Sequence, residues 1–128
     1  MNTDILDKKI SLLQLEVIND SRGNLFPVHF SELPFQPKRM FVIADVPIGT
    51  ERGGHAHKKQ AQLMICLSGK VEIYAQIDNE SNKVMLEQPT QGLLVLPTVW
   101  TMQKFLEPDS RLLVFSSGEY DRGDYIVD

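Results

Sequence analysis

The sequence predicts an all-β fold built from short antiparallel strands. Apolar and polar residues alternate with a period of two in several segments, and turn-forming residues recur roughly every ten residues. No long segment has the i, i+3, i+4 apolar spacing of an amphipathic helix. Because 128 residues suffice for one hydrophobic core but not for two, we expect a single domain over 1–128.

The first predicted strand covers 10–18, where apolar residues alternate with polar ones. A turn cluster at 19–24 separates it from a short strand over 25–30, which Pro27 restricts to a sheet edge or a bulge. Later strands are expected over 38–46, 63–67, 70–77, 84–86, 92–96, 99–105 and 111–115, with a hairpin loop at 78–82. Strands of this length and spacing are typical of a sandwich or a barrel.

Two of the three histidines, His55 and His57, lie two positions apart in a segment bracketed by glycines. In a strand this spacing places both rings on one face, whereas a helix would separate them. Arg52 and Gln62 are close by in the sequence, and such clusters of titratable groups are typical of functional sites. The isolated His29 is interpreted as structural.

Composition excludes several classes of function. The net charge is −4 and no basic stripe is present, which disfavours nucleic-acid binding. There is no apolar run of about 18 residues, so no membrane span is predicted. The N-terminus lacks the pattern of a secretory signal, and we therefore expect a cytoplasmic location. The single cysteine, Cys66, lies in an apolar strand and is interpreted as a core residue of a protein from a reducing compartment.

The order of glycines, His55-x-His57 and Gln62 over residues 49–69 resembles the first signature motif of the cupins, a superfamily of jelly-roll β-barrels. Metal-binding cupins carry a glutamate in the place of Gln62 and a further histidine in a second motif, whereas segment 92–102 has no histidine. Two imidazoles and an amide oxygen are a weak donor set for Zn²⁺ or Fe²⁺. We therefore expect no metal.

Further motifs make the resemblance more specific. They are Asp20-Ser21-Arg22-Gly23, Lys38-Arg39, Arg52-Gly53-Gly54-His55-Ala56-His57-Lys58, Pro97-x-Val99-Trp100, and Tyr120-Asp121-x-x-Asp124-Tyr125-Ile126. In this order they resemble the sugar 3,4-ketoisomerases, which interconvert keto groups on dTDP-linked 4-keto-6-deoxyhexoses. The resemblance implies a cofactor-free homodimer that converts dTDP-4-keto-6-deoxy-D-glucose to its 3-keto isomer. Amination would then give the 3-amino sugar of a surface polysaccharide, such as an O-antigen or an S-layer glycan. The edge-strand character of the N-terminal segment is compatible with strand exchange between subunits.

The residue chemistry suits this reaction. Moving a carbonyl from C4 to C3 requires a base for the C3 proton, and histidine, with an ordinary pKa of about 6.5, fits without large tuning. We assign His55 as the base at C3 and His57 as the group that steadies the charge or carries the proton to C4. Arg52 and Gln62 are expected to donate hydrogen bonds to the enediolate oxygens.

The remaining substrate contacts are assigned by residue type and by the resemblance. Arg22 and Arg39 are candidates for the pyrophosphate, because a guanidinium binds phosphate oxygens in pairs. Trp100 is a candidate wall against sugar or thymine. Thr101 stands where many family members have histidine or arginine, so the configuration of the product at C4 is left open. Phe41 replaces a common tyrosine, and the C-terminal motif is expected to lock the chain end onto the barrel or a partner subunit.

Other classes of function stay open. A 3,5-epimerase of nucleotide-linked keto sugars is also a metal-free cupin with a histidine base, although it pairs that base with a catalytic tyrosine and is usually longer. A non-catalytic cupin that binds sugar nucleotides would use the same histidines without proton transfer. A metal-dependent cupin oxygenase or isomerase is disfavoured by the number of available ligands.

Overall fold

The computed structural model describes residues 2–126. Within them the chain forms thirteen strands, two single-turn 3₁₀ helices and no α-helix. The strands are β1 (Thr3–Ile5), β2 (Ile10–Gln14), β3 (Ile18–Asp20), β4 (Gly23–Leu25), β5 (Arg39–Ile43), β6 (Glu51–His57), β7 (Gln62–Ser68), β8 (Val71–Ile77), β9 (Glu80–Leu86), β10 (Gln91–Val95), β11 (Trp100–Phe105), β12 (Arg111–Ser116) and β13 (Tyr125–Ile126). The 3₁₀ helices cover Phe30–Glu32 and Arg122–Asp124. None of the helical turns in this part of the chain has the length and apolar character needed to cross a bilayer.

Two antiparallel sheets carry the fold. One has the strand order β1-β2-β10-β7-β12-β5 and the other β13-β6-β11-β8-β9, while β3 and β4 form a separate hairpin. The expected all-β, jelly-roll architecture of the cupin type is confirmed. The strands form two facing sheets rather than one closed hydrogen-bonded barrel.

The main core lies between the two sheets and follows the predicted alternation. Along β8 the side chains of Val71, Ile73 and Ala75 are fully buried, as the period of two requires. Phe105 of β11 and Cys66 of β7 complete this layer with no exposed surface. Cys66 is thus a core residue, as expected, and burial raises the pKa of its thiol.

The N-terminal third departs from the predicted boundaries. The expected strand over 10–18 ends at Gln14, because Gln14 pairs with Gln91 at the first residue of β10 and no neighbouring strand extends further. The expected strand over 25–30 is replaced by the end of the β3–β4 hairpin and a 3₁₀ turn. The loop predicted at 78–82 is a two-residue turn, with Ile77 opposite Glu80.

The outer face of the six-stranded sheet holds a second apolar cluster. Its buried members are Leu63, Ile65, Leu94 and Phe115, and segment 28–35 packs against them. Segment 17–30 carries further large apolar side chains that stay exposed, namely Val17, Ile18, Leu25, Phe26 and Phe30. The cluster and segment 17–30 together therefore expose more apolar surface than is usual for a monomeric protein.

Candidate active site

A bulge between β6 and β11 shapes the wall that carries the histidines. The register of the two strands shifts between Thr101 and Met102, opposite Gly53 and Gly54. Both glycines have positive φ, +89° and +80°, which side chains rarely tolerate. A Cβ at Gly53 would also lie 2.6 Å from Oε1 of Gln103, so only glycine fits at this position without movement of that side chain. The bulge brings β6 close to Gln103 immediately before His55.

A cavity of about 380 Å³ opens beside this wall. Five of its lining residues are polar: Arg52, His55, Gln62, Gln103 and Tyr125. Its apolar lining includes Phe41, Ile43, Met64 and Val114, from strands β5, β7 and β12. A concave site in which several polar groups converge beside apolar side chains is suited to a small polar organic ligand.

His55 and His57 lie on β6, and their rings are neighbours, as their spacing predicts. The ring centroids are 5.2 Å apart and the planes meet at 81°. His55 lines the cavity, whereas His57 does not line it and is only 6% exposed. The two imidazoles are therefore not equivalent: only His55 reaches the cavity directly.

Burial sets the protonation of His55. Loss of solvent lowers the pKa of its imidazole below the ordinary 6.5, and the nearby His57 lowers it further. Contact with the backbone of Gly53 opposes these effects in part. The lowered pKa keeps His55 neutral at neutral pH, the state in which an imidazole can accept a proton.

A buried carboxylate holds His57. Nδ1 of His57 lies 3.0 Å from Oδ2 of Asp124, and both side chains are more than nine-tenths buried. The other carboxylate oxygen accepts the backbone N–H of Lys59 at 2.8 Å. Nε2 of His57 is buried and has no hydrogen-bond partner among residues 2–126. The sequence places Asp124 in the C-terminal motif but gives no sign that it faces a histidine.

Tyr125 closes the site from the C-terminal side. Its ring stacks on His55 with centroids 4.4 Å apart and planes inclined by 18°, and it meets the edge of His57 at 4.8 Å. Strand β13 pairs with β6 through Tyr125 and His57, so the chain end is anchored to the barrel. The expected anchoring is therefore present, and Tyr125 is in addition a cavity residue that the sequence interpretation missed.

Arg39 and Arg22, the two candidates for binding the pyrophosphate, differ in their surroundings. Arg39 lies on the same face of β5 as Phe41, and its guanidinium covers the rings of Phe41 and Tyr120 at 4.9 and 5.7 Å. Its Nε is buried without a hydrogen-bond partner in the described part of the chain. Arg22 is at the tip of the β3–β4 hairpin, with a side chain 88% exposed, and pairs with Asp20 at 2.7 Å. Arg22 does not line the cavity of its own chain.

Trp100 lies away from the cavity that holds His55. Along β11 the buried residues are Thr101, Gln103 and Phe105, so Trp100 points to the opposite face. There its ring meets Tyr74 at 6.0 Å on the outside of the five-stranded sheet. Trp100 is therefore not part of the cavity beside His55, but it lines a separate cavity with Gln76 and Thr98. Its proposed contact with sugar or thymine stays a prediction.

On the inner face of the same strand, Thr101 supports a residue that the sequence interpretation missed. Its hydroxyl accepts a hydrogen bond from Nε2 of Gln103 at 3.2 Å. Gln103 in turn lines the cavity, while Thr101 is buried behind it. The signal available in the sequence was the two-residue spacing of Thr101 and Gln103 on one strand face.

The structure also brings few metal-binding side chains close together. No group of three or more His, Cys, Asp or Glu side chains within 2–126 is placed to hold a metal ion. The ring nitrogen of His57 that faces Asp124 is already engaged.

Comparisons with known proteins agree with this geometry. The family model FdtA, described as WxcM-like, C-terminal, matches residues 8–128. The TDP-4-oxo-6-deoxy-alpha-D-glucose-3,4-oxoisomerase of Aneurinibacillus thermoaerophilus is 34% identical over 116 residues, which cover 90% of this chain and 84% of the relative.

Several solved structures with more than 30% sequence identity to this chain are sugar 3,4-ketoisomerases. QdtA, a sugar 3,4-ketoisomerase from Thermoanaerobacterium thermosaccharolyticum in complex with TDP, is 36% identical, with a TM-score of 0.91 and coverage of 94% of this chain and 88% of that chain. WlaRB, a TDP-quinovose 3,4-ketoisomerase from Campylobacter jejuni, is 33% identical, with a TM-score of 0.90 and 94% coverage of both chains. The resemblance inferred from the motifs is confirmed, and this chain belongs to the FdtA family of WxcM-like, C-terminal domains, whose relatives named here are 3,4-ketoisomerases.

Proposed function

We propose that this protein is a 3,4-ketoisomerase that converts dTDP-4-keto-6-deoxy-D-glucose to a dTDP-3-keto-6-deoxyhexose. The observation that carries the proposal is a neutral histidine, His55, exposed to a cavity in which several hydrogen-bond donors converge. Two comparisons support the substrate class, since the relative from A. thermoaerophilus is named for a TDP-4-oxo sugar and QdtA binds TDP.

His55 acts as the base in this proposal. It takes the proton from C3, and the electron pair of that C–H bond forms the double bond of an enediolate while negative charge develops on the C4 oxygen. The proton of the C3 hydroxyl then moves to the C4 oxygen, which transfers the negative charge to the C3 oxygen. Protonated His55 delivers its proton to C4, where the electron pair of the double bond forms the new C–H bond, and the carbonyl re-forms at C3. Histidine suits both the removal of the proton and its return, because its two protonation states interconvert near neutral pH.

The enediolate requires donors that are already in place. Arg52 and Gln62, both expected from the sequence, line the same cavity as His55, and Gln103 joins them. Preorganised donors of this kind typically contribute a factor of about 10²–10³ each to the rate. We assign these three side chains to the oxygens at C3 and C4.

The nucleotide is assigned to the arginines. Arg39 has a buried Nε with no partner in the described part of the chain, and a phosphate oxygen would satisfy it. Arg22 lies on a hairpin away from the cavity lining, so its proposed contact with the pyrophosphate requires a second subunit.

The proposal includes a homodimer, with exchange of N-terminal strands between its subunits. Exposed apolar side chains on segment 17–30 support an interface there. Three successive residues between β1 and β2, namely Leu6, Asp7 and Lys8, have positive φ of 51–66°. Such backbone is strained for side-chain-bearing residues, and exchange of β1 would allow it to relax. Sedimentation velocity of the wild type and of Phe30→Glu tests the proposed homodimer. A wild-type protein that sediments as a monomer refutes the dimer.

We also propose a single domain over 1–128 and a cytoplasmic location, where an aminotransferase would use the product for a 3-amino-3,6-dideoxy sugar. No metal or organic cofactor is assigned a role.

The experiment that tests the reaction follows the sugar by NMR in D₂O after treatment of the protein with a chelator. Movement of the carbonyl with deuterium at C3 and C4 alone supports the ketoisomerase, and the coupling constants of the product give its configuration at C4. Exchange at C5 would identify a 3,5-epimerase, and no exchange would identify a binding protein. Activity that disappears with chelation and returns with added metal would identify a metal-dependent enzyme.

Replacement of the base provides the residue-level test. His55→Asn is expected to abolish turnover while the protein stays folded, because a cavity-lining imidazole adds little to the core. His29→Asn is the matched control, since His29 pairs with Glu16 on the exposed surface at 3.0 Å. Near wild-type turnover in His55→Asn would remove His55 from the mechanism.

A further inference from the structure

The hydrogen bond between His57 and Asp124 has a defined donor and acceptor. Nδ1 and Oδ2 are 3.0 Å apart, and the carboxylate is also held by the backbone N–H of Lys59. An ionised carboxylate only accepts hydrogen bonds, so the proton in the contact belongs to Nδ1 of His57. In neutral His57 the second ring nitrogen, Nε2, then carries a lone pair.

That lone pair is placed where it has no partner. Nε2 is buried and receives no hydrogen bond from any residue that the structure describes. A buried polar atom without a partner destabilises the folded protein, and such atoms in native proteins often have a chemical role. Two aromatic rings lie against His57: Tyr125, with centroids 4.8 Å apart, and His55, with centroids 5.2 Å apart. Of these two, His55 is the titratable base that lines the cavity.

We propose that Asp124 is a positioning residue of the isomerase, which fixes the proton of His57 on Nδ1 and keeps Nε2 open for the proton that passes through His55. This inference rests on the proposed function. When the proton moves, an N–H bond of protonated His55 breaks and an N–H bond forms at Nε2 of His57, directly or through one water molecule. The positive charge then lies beside the carboxylate of Asp124, and the reverse transfer restores it to His55 for delivery to C4.

Asp124→Asn changes the direction of this contact with little change of shape. One face of the amide can still accept the N–H of Lys59 through its oxygen, while its NH₂ group points to Nδ1. Nδ1 must then be the acceptor, so the proton of neutral His57 moves to Nε2 and the lone pair is lost there. We expect kcat to fall by a factor of about 10²–10⁴, with a smaller change in KM.

The measurement that separates positioning from simple structural support is the tautomer of His57. Long-range ¹H–¹⁵N NMR of histidine-labelled protein distinguishes a proton on Nδ1 from a proton on Nε2. The expected result is Nδ1–H in the wild type and Nε2–H in Asp124→Asn. Asp121→Asn is the matched control, because it removes the same charge from the same turn while asparagine keeps the cap bond to the N–H of Gly123.

The inference is overturned by wild-type kcat in Asp124→Asn, by an unchanged tautomer in that variant, or by an equal loss of turnover in Asp121→Asn. It is also overturned by Nε2–H in the wild type, a result that stands even if the variant does not fold. Absence of carbonyl migration in the wild-type enzyme would refute the proposed function instead, and the tautomer of His57 would still be measurable.

Discussion

Tyr125→Leu should slow the isomerase by weakening the protonated form of His55. Once His55 has taken the C3 proton it is a cation, and the face of the Tyr125 ring lies 4.4 Å from the imidazole centroid at an angle of 18°. A cation above an aromatic face gains about 0.5–2 kcal/mol, according to how far it is removed from water. For a half-buried site we take about 1 kcal/mol, which corresponds to about a five-fold loss in kcat.

Tyr125→Phe is the comparison that isolates the ring. It removes the hydroxyl and keeps the stacked face, so kcat should stay close to the wild-type value. The same pair of variants should differ in the pKa of His55: leucine lowers it further, since the cation loses its aromatic neighbour, whereas phenylalanine leaves it in place. Steady-state kinetics and an NMR titration of His55 provide the two readouts.

Two results would refute this reasoning. If Tyr125→Phe loses as much activity as Tyr125→Leu, the hydroxyl matters and the stacked ring does not. If Tyr125→Leu retains full kcat and an unchanged pKa of His55, the stack does not stabilise the cation at all.

Three further predictions follow from the site and the fold. Because burial lowers the pKa of His55 below 6.5, the decline of kcat/KM at low pH, where the base becomes protonated, should be centred below pH 6.5; a decline centred above 6.5 contradicts this. Arg52→Met should lower kcat by a factor of about 10²–10³ in steady-state assays with less effect on KM, and equal effects on both would contradict a role in the transition state. Gly69→Ala should lower the melting temperature more than Gly49→Ala in calorimetry. Both positions have positive φ, but only at Gly69 would a Cβ lie 2.6 Å from the Cα of Ser110, which adds about 1–3 kcal/mol of strain. Equal losses of melting temperature in the two variants would show that the positive φ alone, and not the contact with Ser110, causes the destabilisation.

Regular alternation made much of the fold predictable. Segment 70–77 alternates apolar and polar residues without interruption. The observed strand, Val71–Ile77, begins one residue later than predicted and has the predicted buried face. The pairing of His55 and His57 on one strand followed from the same rule. These features depend only on local sequence, which is why they could be obtained without coordinates.

The N-terminal boundaries could not be obtained in this way, because they depend on a distant strand. Residues beyond Gln14 have the composition of a strand, but β10 begins at Gln91 and offers no ladder to pair with them. Strand propensity without a neighbouring strand does not produce a sheet. The end of β2 is therefore set by residues more than seventy positions away in the sequence.

Strand β11 shows why the inward-facing residues of a strand could not be chosen from hydrophobicity alone. One face of the strand carries Trp100 and Met102, and the other carries Thr101 and Gln103. Hydrophobicity favours the first pair as the inner one, yet the polar pair faces inward. A strand that lines a polar cavity reverses the usual pattern, and a wrong choice of face moves every side chain to the other side.

The polar residues that face inward also link the fold to the chemistry. Gln62 and Gln103 are each only 6% exposed, although burial of polar side chains costs free energy unless they find partners. A barrel selected for stability alone would fill these positions with apolar residues, as it does elsewhere between the two sheets. Inward-facing amides beside a neutral His55 provide donors that are in place before charge develops on a ligand, and this arrangement is what proton transfer next to a carbonyl requires.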